Sequence, residues 1–167
     1  MPNQHHLEFD PLQGGLTRES AQREPTTRRA LARCRVIMAP ETTDKVARNA
    51  NAKGDVLATA RTAAIQAAKR TADLLPMCQM VAVGTTTVQF HIGDAYVEVE
   101  VEVHTVDRTG VEMEAMTACT VAALTIYDMC KGGDRTMSIE QVKLWEKVGG
   151  RSGTWRRDDF VDTDREI

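Results

Sequence analysis

Between residues 88 and 103 the chain alternates. Val88, Phe90 and Ile92 are separated by Gln89 and His91, and Val97, Val99, Val101 and Val103 by Glu98, Glu100 and Glu102. A period of two on both sides of Gly93-Asp94 predicts a β-hairpin with one apolar and one acidic face. The valines are expected to meet a core and the glutamates water, where a row of acids discourages edge pairing. Helical spacing replaces this pattern elsewhere. Lys53-Gly54-Asp55 forms a turn ending in a good N-cap, and an Ala-rich helix is predicted from about 56 to 75, stopped by Pro76. A second long helix is predicted over 110–131, entered at Gly110 and stopped by Gly132-Gly133. Its middle, Met116 to Ile126, is almost uncharged, so most of its sides should be buried. Shorter elements complete the set: a strand at 34–38, a helix at about 41–50 with Pro40 in its first turn, and a strand at about 137–147.

The order β-α-α-β-β-α-β predicts an α+β fold, an antiparallel sheet with helices packed on one face, in a ferredoxin-like arrangement. A polar stretch, 1–25, reads as a loosely ordered arm, 26–153 as one domain, and 154–167 as a charged tail. The aromatic content of 4% and the net charge of −3 argue against a stacking platform or a general polyanion binder. No apolar run is long enough to cross a bilayer and no signal-peptide core is visible, so a soluble cytoplasmic protein without membrane partners is expected. Cys34, Cys78, Cys119 and Cys130 lack Cys-x-x-Cys spacing and read as reduced thiols, and no metal or other cofactor is expected.

The ionisable residues of interest fall at the two ends of the 110–131 helix. Glu112 and Glu114 sit in its first turn, where the helix dipole favours carboxylates. Asp128 and Lys131, three residues apart, share a face at its end. Their spacing fits an exposed ion pair, or a pair desolvated enough at the end of an apolar helix to titrate near neutrality. Sixteen residues of helix, at about 1.5 Å each, put roughly 24 Å between Glu112 and Asp128. One small site within one subunit cannot use both ends, so chemistry at both implies a site assembled between subunits. Lys53 reads as a loop lysine, solvated or functional. Arg28 and Arg29 fall just before the first expected strand, and Lys147 precedes a glycine-rich loop; each could meet phosphate. This set of lysines, arginines and acids suits proton transfer on a phosphorylated small molecule.

Several blocks together resemble the cyclic pyranopterin monophosphate synthase family of molybdenum cofactor biosynthesis. They are Lys53 to Arg61, Ala67 to Thr71, Thr109 to Ala115 and Ala122 to Lys131, with a weaker match from Glu146 to Gly153. The resemblance implies a ferredoxin-like subunit in a homo-hexamer, a trimer of dimers with sites between subunits. It implies a phosphorus–oxygen lyase that converts 3′,8-cyclo-7,8-dihydroguanosine 5′-triphosphate to cyclic pyranopterin monophosphate and pyrophosphate. On the matching positions, it implies catalytic roles for Asp128, Lys131 and Lys53. It implies substrate binding by Arg28, Met77, Cys78, Gln79, Glu112, Met113, Glu114 and Lys147.

The chain departs from the family pattern at three places. Gln79 stands where the family has histidine, Val148 where it has serine, and Thr17 to Ala21 replaces an apolar N-terminal segment. Glutamine can donate a hydrogen bond but exchanges no proton near neutral pH. The alternative to an active synthase is therefore an impaired paralogue that binds a purine nucleotide or co-assembles with an active subunit.

Overall fold

The computed structural model describes residues 23–159. The arm of 1–25, but for its last three residues, and the tail beyond 159 lie outside them. The elements are β1 (Thr26–Ile37), α1 (Pro40–Ala47), α2 (Val56–Lys69), α3 (Thr71–Leu74), β2 (Thr85–Ile92), β3 (Tyr96–Asp107), α4 (Glu112–Cys130), β4 (Ser138–Val148) and β5 (Trp155–Arg156). The strands form one sheet in the order β2-β3-β1-β4-β5, antiparallel at every pairing. The first four strands and the crossovers α2 and α4 make the ferredoxin-like α+β arrangement, with each β-α-β unit straddling a strand of the other.

The core lies between the sheet and these two helices. Ala30, Ala32, Cys34 and Val36 of β1 and Val97, Val99, Val101 and Val103 of β3 meet Ala60, Ala64 and Ala68 of α2 and Ala115, Ala118, Ala122 and Ile126 of α4. With so few aromatics, close packing is reached by alanines, which let the helix backbones approach the sheet and one another. Each long helix starts as its sequence dictates. The Asp55 carboxylate accepts from the Ala58 N–H at 2.9 Å and caps α2, while α4 opens on Glu112 and Glu114 without a side-chain cap. Gly54 enters the α2 turn at a φ of 100°, a left-handed conformation that glycine tolerates.

Four features differ from the sequence pattern. β1 begins at Thr26, so Arg28 and Arg29 lie within the first strand rather than before it. The acidic row of β3 is not a bare solvated face. Arg29 pairs with Glu102 at 2.7 Å, Arg35 with Glu98 at 2.7 Å, and Arg33 with Glu100, so the acids of β3 are answered by arginines of β1. α2 stops at Lys69; the buried Thr71 hydroxyl donates to the Ala67 and Ala68 carbonyls and closes the turn before α3. Finally, Trp155 and Arg156 return the chain onto β4, and the Arg156 guanidinium reaches the buried Glu146 at 2.7 Å.

Candidate functional site

The N-terminal end of α4 forms one wall of a pocket. The segment after α3 is pinned to β3 beside it: Thr105 donates its hydroxyl to the Ala82 carbonyl at 2.5 Å, and the Gly84 N–H donates to the His104 carbonyl at 3.0 Å. Met77, Cys78 and Gln79 are thereby brought against Glu112, Met113 and Glu114, and these six line a cavity of about 280 Å³ with Thr109 and Gly110. Six of the eight sequence-predicted binding residues share this space. Thr109, Gly110 and Val81 also line it and were not among them, although Thr109 and Gly110 open one of the blocks that carry the family resemblance.

The chemistry of this pocket is governed by burial. Glu114 is only 3% exposed. Burial pushes its carboxyl above the usual range, with the nearby charges of Glu112 and Asp107 adding to the shift. The Cys78 thiol donates to the Glu114 carboxylate at 3.5 Å and is itself pushed up to about 11, first by burial and then by that charge. The pair holds protons more tightly than free side chains would, in contact with the space a ligand would occupy.

Arg28 and Lys147 stand at the same end of the sheet. Arg28 is buried in β1 and donates to the carbonyls of Asp107 and Arg108, at 3.3 and 3.2 Å, immediately before the turn that enters the pocket. It also lines a neighbouring cavity of about 480 Å³ with Arg151, Gly149 and Gly150. Gly150 has a φ of 82°, and a Cβ there would overlap the Arg28 guanidinium, so the close approach requires glycine twice over. Lys147, on β4, donates to the Ser152 hydroxyl in the loop beyond.

At the opposite end of α4, Lys53, Asp128 and Lys131 meet. Lys131 Nζ lies 2.6 Å from Asp128 Oδ1, and Lys53 Nζ lies 2.8 Å from the Asp128 carbonyl and 3.7 Å from Oδ2. The desolvation that would bring Asp128 and Lys131 toward neutrality is not found within the subunit. Their side chains are 60% and 55% exposed. The hydrogen bond from Lys131 holds the Asp128 carboxyl below its ordinary range, and the same bond holds the Lys131 ammonium above its own. Both groups stay charged, because the helix end is open and the charges match.

Two residues outside the predicted set hold the neighbouring chain in place, Asn51 in the loop carrying Lys53 and Asp134 beside the start of α1. Asn51 accepts from the Lys53 N–H at 2.9 Å and donates to Cys130 Sγ at 3.5 Å. Asp134, buried, accepts from Ala39 N–H at 2.8 Å, Thr42 Oγ1 at 3.2 Å, Thr136 N–H at 2.9 Å and Thr136 Oγ1 at 2.7 Å. Those donors, the Ala39 amide foremost, hold its carboxyl down at about 2. An asparagine two residues before Lys53 is an Asx-turn signal and could have been read; nothing local marks Asp134.

Known proteins resemble this chain over most of its length. The MoaC family matches residues 19–150. The chain is 53% identical over 141 residues to the cyclic pyranopterin monophosphate synthase of Thermomicrobium roseum, covering 83% of this chain and 85% of that protein. It is 52% identical over 134 residues to the protein of the same name from Chloroflexus aurantiacus, covering 79% of this chain and 82% of that one. It is also 52% identical over 135 residues to cyclic pyranopterin monophosphate synthase 3 of Mycobacterium tuberculosis, covering 80% and 76%.

Proposed function

The chain belongs to the MoaC family, and from that membership we propose the reaction and assign its groups. It is a cyclic pyranopterin monophosphate synthase of molybdenum cofactor biosynthesis. It converts 3′,8-cyclo-7,8-dihydroguanosine 5′-triphosphate to cyclic pyranopterin monophosphate with loss of pyrophosphate. The reaction opens the purine base, closes a pterin ring and cyclises onto the α-phosphate. Each stage moves protons and develops negative charge, which lysines, carboxylates and arginines can manage.

Lys53, Asp128 and Lys131 are assigned to proton transfer and charge stabilisation. Met77, Cys78, Gln79, Glu112, Met113 and Glu114 bind the purine-derived part, and Arg28 and Lys147 take phosphate. One observation carries this division: the binding residues share a pocket at one end of α4, and the proton-transfer residues share the other. A helical rise of about 1.5 Å per residue keeps the two groups roughly 24 Å apart. The working site therefore joins the pocket of one subunit to the Lys53–Asp128–Lys131 cluster of another, in a homo-oligomer whose proposed form is a hexamer, a trimer of dimers. The proposed location is the cytoplasm; no helix among the described residues is long and apolar enough to cross a membrane.

The test is to supply freshly prepared cyclo-dihydroguanosine triphosphate and to measure pyrophosphate alongside product mass. Equal amounts of pyrophosphate and cyclic pyranopterin monophosphate are expected. An assembled oligomer that yields neither would contradict the reaction.

A further inference from the structure

The loop from Asn49 to Asp55 carries Lys53 toward the last turn of α4 and is built tightly. Asn49 takes a φ of 54°, and the Ala50 N–H returns to the Lys45 carbonyl at 2.8 Å, closing the end of α1. Asn51 then makes three bonds in three directions. Its main-chain carbonyl accepts from the Gly54 N–H at 3.1 Å, its side-chain oxygen accepts from the Lys53 N–H at 2.9 Å, and its amide nitrogen donates to Cys130 Sγ at 3.5 Å. The first two shape the turn on which Lys53 sits. The third ties that turn to α4 two residues beyond Asp128. Cys130 is a suitable anchor because it is only 3% exposed, and its carbonyl is held by the N–H groups of Gly133 at 3.0 Å and Asp134 at 3.2 Å.

Lys53 itself has little else to hold it. Its side chain is 49% exposed, and its ammonium group must span from the loop to the Asp128 carbonyl. A long exposed lysine loses much rotamer freedom when fixed, and an exposed ion pair returns little for it. Fixing the backbone at Lys53 reduces the freedom left to be lost.

We propose that Asn51 is a positioning residue: bridging the Lys53 N–H and the Cys130 thiol, it sets the distance between Lys53 and Asp128 that proton transfer requires. The proposal rests on the reading of Lys53 and Asp128 as catalytic. The oxygen and nitrogen of the Asn51 side chain are engaged by the Lys53 N–H and Cys130, and the pocket assigned to the purine-derived part does not include Asn51, although it borders a cavity of about 370 Å³ beside Lys53. Its loss should accordingly appear in kcat and leave KM nearly unchanged. A misplacement of about 1 Å at a reacting group can cost on the order of 100-fold, so Asn51→Ala is expected to lower kcat by about 10- to 100-fold. Cys130→Ala removes only the thiol anchor and should lower kcat by a smaller factor. Cys130→Ser offers the amide a hydroxyl oxygen and should restore most of the difference.

The closing experiment reads Lys53 directly, without substrate. The assembled protein is exposed briefly to a water-soluble amine-acylating reagent, and modification at each lysine is followed by peptide mass spectrometry. In Asn51→Ala, labelling of Lys53 should rise about two- to five-fold, the factor an exposed ion pair is worth, while Lys147 stays unchanged. In Cys130→Ala the rise should be smaller, and in Cys130→Ser nearly absent. Lys53 labelling in Asn51→Ala equal to wild type, in oligomers of the same mass, would overturn the proposal, as would an unchanged kcat. If Lys53 is released as expected but the wild-type protein forms no product, positioning is upheld and the assigned reaction is what fails.

Discussion

The two ends of α4 are built on opposite electrostatic principles. At the N-terminal end Glu114 is buried, and desolvation raises its carboxyl and the thiol of Cys78, so the pocket holds charge at a cost. At the C-terminal end Lys53, Asp128 and Lys131 stand in solvent, and ion pairing drives Asp128 down and Lys131 up. One end is a cavity without cationic partners among its lining residues; at the other, Lys53 borders a cavity of about 370 Å³ with Asn51, Met129 and Cys130, while the Asp128 and Lys131 side chains are exposed. On the proposed shared site, each end of α4 supplies groups the other lacks, and another subunit's pocket laid over Asp128 and Lys131 would supply the desolvation that the helix end does not.

The comparison is broken most severely at the open end. Replacing Asp128 with Asn removes the carboxylate that both lysines address, and kcat should fall by about 100- to 10,000-fold, the range of a lost acid–base group. KM and oligomer mass should barely move, which steady-state kinetics and light scattering would check. At the closed end Glu114→Gln weakens the binding assigned to the pocket, so little product should form at substrate concentrations that saturate wild type, and stability should change as well. Because the folded-state pKa of Glu114 is raised, its ionisation costs stability that is absent below the ordinary carboxylate range and complete above the raised value. The variant should thus gain thermal stability at pH 7.5 and gain little at pH 4. Equal gains at both would contradict the burial account.

Smaller effects sharpen the same contrast. Gly150→Ala forces the Arg28 guanidinium aside, so KM should rise several-fold with kcat nearly preserved. Asp134→Ala should cost roughly 1–3 kcal/mol near neutrality, the usual penalty for undoing hydrogen bonds to a buried charged group. Since the Asp134 carboxyl is held at about 2, its contribution is present above the ordinary carboxylate range and disappears as pH falls toward 2. Urea midpoints of wild type and variant should differ at pH 6 and converge at acid pH. Gln79→His adds a titrating group to the pocket and should change turnover the least, with a new inflection between about pH 6 and 7 in the rate profile.

What could be read from the chain follows from how local each signal is. The valine alternation of β3, the Asp55 cap and the apolar stretch of α4 are set by neighbours in sequence, and they form as the pattern predicts. The first half of β1 was illegible because Arg28 and Leu31 blur an alternation in which Ala30 and Ala32 share the core-facing register and Arg29 and Arg33 the other. Their partners, Glu102 and Glu100, lie on another strand and appear only once the register is fixed. The same limit applies to the site. The motif blocks point to Asp128 and Lys131, but burial belongs to the assembled fold, and only there does the exposed ion pair prevail over the desolvated one that the spacing also allowed.

Mixing two inactive variants tests the shared site most directly. Glu114→Gln and Asp128→Asn oligomers, each silent alone, would be dissociated together, reassembled and assayed for cyclic pyranopterin monophosphate. If the two ends of α4 serve different sites, random assembly leaves about a quarter of the sites with both wild-type halves, and activity should return to about that fraction. Mixed oligomers, verified by mass, that remain silent under conditions where reassembled wild type turns over would contradict the shared site.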